Sequence, residues 1–137
     1  MCQTAVFFGE ALARYGFGGS HPWGSDRIYA FWSRLHSENP DNIVVEDPAL
    51  SSEQAVLSFH DKEYVELVKA ASKRGGVPLD RGDTPAFKGV FEATLYVVGS
   101  TLAALDMVVI GIGVGLIAGG LACSVCGTYN GRQVIEV

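Results

Sequence analysis

The sequence predicts an α/β fold with a parallel sheet. Two short apolar runs, Thr4-Ala-Val-Phe-Phe8 and Ile43-Val-Val-Glu46, have the length and composition of strands, and a segment of helical period stands between them. Strands separated by helices pair in parallel, because the chain must cross back before laying the next strand. Size agrees. At 137 residues and 48% hydrophobic content, the chain buries roughly two-thirds of its unfolded surface, enough for a core.

Each element follows from local signals. After the first strand, Gly16, Gly18, Gly19, Pro22 and Gly24 make the stretch through Gly24 an irregular loop. Ser25 reads as an N-cap with Asp26 in the first turn. Ile28, Phe31, Trp32 and Leu35 then repeat at i, i+3, i+4 and i+7, one buried helical face, and Pro40 sets the far limit. Ser51 with Gln54 forms a capping-box pattern ahead of a short helix near Glu53 to Ser58. Asp61 is placed to cap the next helix, whose Tyr64, Leu67, Val68 and Ala71 keep the same spacing until Gly75-Gly76 and Pro78 end it. A long helix from about Pro85 to Asp106 follows, proline being suited to a first turn whose N–H has no intrahelical partner.

Charge narrows the function classes. A net charge of −5, with the densest basic cluster (Lys69, Lys73, Arg74) at a helix end where it complements the dipole, argues against a nucleic-acid partner. Three cysteines, Cys2, Cys123 and Cys126, make no disulfide framework, and the first residues lack the positive region of an export signal, so a reducing cytoplasm is expected. No charged residue occurs from Met107 to Gly131. Residues 107 to 126 therefore satisfy the length criterion of a membrane span, while a buried parallel strand followed by a glycine turn is the plain alternative.

Metal and cofactor chemistry finds little support in the spacing. His21, His36 and His60 fall in separate elements, with no Asp-x-His or His-x-x-x-His pattern, so no metal ligand set is expected in this chain. Cys123-Ser-Val-Cys126 has the spacing of half a zinc knuckle or a redox pair, or is two thiols in an apolar segment. Gly113-Val-Gly115-Leu-Ile-Ala118 satisfies a dinucleotide fingerprint formally, but Gly119-Gly120 would break the helix that has to hold the pyrophosphate.

Two segments carry a resemblance. One is Tyr15-Gly-Phe-Gly-Gly-Ser-His-Pro-Trp-Gly-Ser-Asp-Arg27, an aromatic, glycine-rich approach to an amphipathic helix. The other is Leu79-Asp-Arg-Gly-Asp-Thr-Pro-Ala-Phe-Lys-Gly-Val-Phe-Glu92. In this order they resemble the amino-terminal part of the zinc-dependent histone deacetylase family, in particular its acetoin-utilisation and acetylpolyamine-deacetylase branches. The likeness covers about residues 4 to 121. It implies an arginase/deacetylase-like three-layer fold, present here as an incomplete amino-terminal portion: residues 1–121 as a partial domain and 122–137 as a divergent tail.

The resemblance also implies roles. Asp83 stands where the family has a rim aspartate whose carboxylate accepts hydrogen bonds from substrate backbone amides; capping the long helix is the alternative. Arg27 matches the family's arginine along an internal channel for departing acetate, and pairing with a neighbouring carboxylate is the alternative. Tyr15 and His21 shape the loop, and His60 packs beneath its helix and is not a ligand. Gly119-Gly120-Leu121 resembles the family's Gly-Gly-Leu, but Ala122-Cys123 follows where paired histidines are expected. The family's zinc ligands and its transition-state tyrosine have no counterpart. The chain is therefore expected to bind no zinc, to self-associate, and to lack activity alone, with acetylated lysine peptides or acetylpolyamines as substrates of the completed enzyme. A truncated or frameshifted gene product accounts for this; a non-catalytic binding or regulatory module and a small membrane-associated protein are the other readings.

Overall fold

The computed structural model describes residues 3–19, 21–80, 82, 84–117, 128–129 and 132–136. In chain order the elements are β1 (Gln3–Phe7), α1 (Glu10–Ala13), α2 (Asp26–Glu38), β2 (Ile43–Glu46), α3 (Glu53–Leu57), α4 (Lys62–Arg74), α5 (Val90–Ile117), β3 (Thr128–Tyr129) and β4 (Arg132–Glu136). The sheet runs in the order β2-β1-β4-β3. β1 lies parallel to both β2 and β4, with Ala5 opposite Val44 on one side and Val134 on the other, and β3 turns back antiparallel on β4.

Successive side chains of a strand point to opposite faces, and β1 uses both. Phe7 packs with Leu12 of α1 and with Tyr96, Val97, Ala103 and Ala104 of α5. Phe8, one residue on, stacks on Trp32 of α2 with centroids 4.2 Å apart and meets Tyr29 edge-on. Helices therefore lie on both sides of the sheet, the three-layer α/β arrangement expected. Ala5 and Val6 between them are fully buried, as a strand covered on two faces requires.

Four local expectations are corrected. α5 starts at Val90, not near Pro85, because residues 76–86 use their backbone groups in a ladder of their own: Gly76 N–H donates to Ala86 (2.6 Å), Ala86 N–H to Val77 (2.7 Å) and Leu79 N–H to Thr84 (2.9 Å). The helix also runs past Asp106 to Ile117, so residues 107–117 are helical and the strand alternative fails there; 118–126 lie outside the described residues. The same helix removes the strand that a dinucleotide fingerprint at Gly113 needs ahead of it. On α4 the buried face is Val65, Val68, Ala71 and Ser72, while Tyr64 and Leu67 are about half exposed. The helix is rotated so that Ser72 Oγ accepts from Phe91 N–H (3.1 Å) and donates to Glu92 (2.8 Å), capping α5 from a neighbouring helix. Finally, the hydroxyl that caps α3 belongs to Ser52, which accepts from Ala55 N–H (3.2 Å), and not to Ser51.

The Val90–Val108 part of α5 is long and apolar enough to cross a membrane by length and composition, and a third of it is buried in this fold. The helix seats the loop before α3. Ala49 N–H donates to the fully buried Ser100 hydroxyl (3.2 Å), and Ser51 N–H donates to the Leu95 carbonyl (3.0 Å). Between them stands Gly99, where an added Cβ would lie 2.5 Å from Ser51 N and 2.7 Å from the Leu50 carbonyl carbon, and would overlap the Ala49 oxygen.

Those contacts are backbone atoms that cannot swing away. Helix propensity alone favours Gly99→Ala by about 1 kcal/mol, whereas overpacking costs about 1–3 kcal/mol. The clash should win, and Gly99→Ala should melt earlier and unfold at lower denaturant, while the exposed control Leu105→Ala changes stability by about 0.5 kcal/mol or less. A Gly99→Ala protein more stable than wild type would mean the loop is not seated on α5.

Candidate functional site

The two motif segments meet in space. Tyr15 and Phe17, from the loop before α2, contact Phe87, from the loop before α5, with ring centroids 6.0 and 6.3 Å away and 6.1 Å from each other. Phe17 and Phe87 were not singled out in the sequence; aromatic residues beside glycines in both motifs were the available signal. The first loop is closed by Phe17 N–H donating to the Trp23 carbonyl (2.8 Å), and by Trp23 N–H donating to His21 Nδ1 (3.0 Å). His21 also meets Phe17 edge-on at 4.6 Å.

Arg27 sits in the first turn of α2, just behind this loop. Its guanidinium lies over the Trp23 ring, 4.2 Å from the centroid. Its Nε is buried without a hydrogen-bond partner, and no carboxylate of the described residues lies within ion-pair distance of it. The carboxylate-paired alternative is therefore not what the described residues form. Stacking occupies the face of the guanidinium and leaves its in-plane donors available. Tyr15 shares this setting: burial pushes its phenol above the ordinary value, the neighbouring Tyr64 adds to the rise, and the Arg27 charge opposes it.

On the far side of Tyr15 a cleft of about 220 Å³ opens between α4, α5 and the 76–86 ladder. Tyr15, His60, Tyr64, Leu79 and Thr84 stand along its lining, over an apolar floor that includes Val65 and Phe91. His60 does not pack beneath α4; it is exposed between Phe59 and Tyr64, at ring distances of 4.9 and 5.3 Å. Asp83 lies outside the described residues, though Gly82 and Thr84 on either side are described; Cys123 and Cys126 lie outside them too.

The comparisons with known proteins decide the family. Residues 21–122 match the model of the histone deacetylase domain. The chain belongs to the histone deacetylase family. It is 30% identical over 120 residues to the acetoin utilization protein AcuC of Bacillus subtilis, covering 81% of this chain and 31% of that protein. It is also 30% identical over 108 residues to a probable deacetylase of Archaeoglobus fulgidus, covering 77% and 30%. The solved HDA15 HD domain superposes with a TM-score of 0.66 at 20% identity, covering 82% of this chain and 33% of that one, a likeness of fold. The chain thus spans about a third of the length of the deacetylase relatives it matches.

The histone deacetylase family is zinc-dependent in general, and zinc catalysis needs three converging protein ligands. Among the described residues no three His, Cys, Asp or Glu side chains converge. His21 lies against Phe17, His36 against Trp32, and His60 against Tyr64, each in a separate part of the fold. The donor set that zinc catalysis requires is not among the described residues.

Tyr15 supplies a test of this geometry. A phenol raised in the folded state adds stability that is present below the ordinary value of about 10 and lost as pH rises through the folded value. Removing the phenol in Tyr15→Phe should therefore reduce the alkaline loss of stability above about pH 10. Arg27→Ala should push Tyr15 higher still, since it deletes the one influence that lowers it. Denaturant unfolding across alkaline pH measures the first and difference titration of tyrosinate absorbance the second, and an unchanged Tyr15 in Arg27→Ala would separate the two side chains.

Proposed function

We propose that these residues build the substrate rim and the product-channel wall of a deacetylase-like amide hydrolase acting on acetyl-lysine or acetylpolyamine substrates. Family membership supports the reaction class, and the buried, unpartnered Nε of Arg27 is the observation that carries the assignment of this region. A buried donor without an acceptor costs about 1–3 kcal/mol, and that cost is recovered when an anion of the right size arrives. Acetate, the product of deacetylation, is such an anion. Trp23 holds the guanidinium by its face, Tyr15 and His21 hold the loop around it, and Asp83 accepts from the substrate backbone at the rim. The general-base histidines and metal ligands of the reaction are absent from these 137 residues, so on this reading the polypeptide turns over nothing by itself.

Two measurements test the proposal. Acetate titrated into the chain should shift the Arg27 side-chain N–H resonance, and Arg27→Ala should weaken acetate binding by about ten- to a hundredfold, the worth of a charge-assisted hydrogen bond. An Arg27 signal that ignores acetate would remove the channel reading. In a chimera joining residues 1–121 to the catalytic segment of the Bacillus subtilis relative, acetyl-lysine hydrolysis should appear, and Asp83→Ala should cost about 1.5–3 kcal/mol in kcat/KM. A folded chimera indifferent to Asp83→Ala would reduce Asp83 to a helix-flanking residue.

A further inference from the structure

The sheet ends at β2. In the order β2-β1-β4-β3, β1 covers one side of β2, and no described strand covers the other. Thr4 N–H donates to the Asn42 carbonyl (2.7 Å) and Phe8 N–H to the Glu46 carbonyl (3.1 Å), so the backbone groups of this parity face β1. The alternation of a strand then leaves the N–H and C=O of Ile43 and Val45 pointing away from the sheet. The side chains of these two residues stand on the α2 face, because their β1 partners Thr4 and Val6 share it with Phe8, which stacks on Trp32. There Ile43 and Val45 line a groove of about 150 Å³ with Trp32, Leu35, His36 and Pro40. Val45 remains 48% exposed, so α2 does not close the groove. Outward donors and acceptors beside an apolar groove are what an added strand requires: main-chain hydrogen bonds give it affinity, and pockets take its alternate side chains.

Charge decides between occupants. The exposed carboxylates of Asp41 and Asp47 flank this edge at its two ends, and neither is in an ion pair with a described residue. A second copy pairing antiparallel, with Ile43 opposite Val45, would set Asp41 opposite Asp47 at both ends. Like charges directly opposite destabilise a sheet, and charged flanks of this kind keep an edge from pairing with itself. On α2, Arg34 is held by Glu38 (2.6 Å) and offers no relief. A strand with cations at both ends meets no such repulsion. Six residues of extended chain span about 20 Å, so basic side chains about six positions apart would answer both carboxylates.

We propose that the β2 edge docks an extended segment of another protein, apolar at alternate positions and carrying lysine or arginine about six residues apart. The segment lies antiparallel to β2 and exchanges backbone hydrogen bonds with Ile43 and Val45. Its apolar side chains lie beside theirs in the groove. The site shares no residue with the rim or the channel, so it stands or falls independently of the function proposed above.

The test is NMR of the whole chain with acetyl-Lys-Thr-Val-Thr-Val-Thr-Lys-amide, whose lysines and valines repeat the spacing of Asp41, Ile43, Val45 and Asp47. At saturation, amide exchange at Ile43 and Val45 should slow by about tenfold while Val44 stays unchanged, a pattern that marks the outer edge. The same peptide with glutamate in place of both lysines should bind about tenfold more weakly, and Asp41→Asn combined with Asp47→Asn should erase that difference. A lysine peptide N-methylated at both valines leaves the protein untouched but lacks the donors that face Ile43 and Val45. It should lose about tenfold in affinity. No protection at millimolar lysine peptide, equal affinity for the glutamate peptide, or undiminished binding of the N-methylated one would each overturn the proposal. Concentration-dependent protection of Ile43 and Val45 without peptide would overturn it too, by giving the edge to a second copy.

Discussion

The hydroxyl of Ser72 is the contact on which the rest of the site depends. It is almost fully buried, and it joins α4 to the first turn of α5 by accepting from Phe91 and donating to Glu92. The Ser72 carbonyl accepts from Gly89 N–H (3.1 Å), so the segment that leaves α4 at Gly75 returns to the same residue before α5 begins. A loop with both feet on one spot has most of its closure cost met by the packing of the two helices. The 76–86 ladder and Phe87 beneath Tyr15 both belong to that excursion. Glu92 adds a negative charge near the amino terminus of α5, where the helix dipole favours one.

This dependence explains what could be read from the sequence and what could not. β2 and α2 follow their local signals closely: Ile43–Glu46 is a strand, and Ile28 leads the inward face of a helix that begins after Ser25. Ser25 and Asp61 mark N-cap positions, yet neither side chain makes a capping hydrogen bond. The start of α5 and the buried face of α4 were misread together, for one reason. Both are set by Ser72 reaching across to a helix that begins well downstream, and no local window contains that pairing. Pro85 looked like a first helical residue because proline suits that position, but it equally suits a bridge whose other partner is also proline. Of the site, Arg27, Tyr15 and His21 could be picked out by motif. Phe17 and Phe87 acquire their roles only from tertiary contacts.

Helix α5 shows why composition alone leaves a choice. An all-round apolar helix suits either a bilayer or a protein interior, since both solvate hydrocarbon and neither solvates free backbone groups. In this fold one side of the helix carries specific polar contacts: Ser72 to Glu92, Ala49 to the Ser100 hydroxyl, and Ser51 to the Leu95 carbonyl. Gly99 allows the loop backbone to come within reach of those groups. Elsewhere along it the helix exposes Leu102 and Leu105, each about half accessible.

Arg27 occupies an unusual electrostatic position, and its surroundings account for its reading as an anion site. A cation in the first turn of a helix opposes the dipole, a cost of about 0.3–1 kcal/mol. The stack on Trp23 offsets an amount of the same order, about 0.5–2 kcal/mol. Neither influence neutralises the charge, so on the proposed reading the guanidinium favours a negative guest, with Asp26 in the same first turn opposing it.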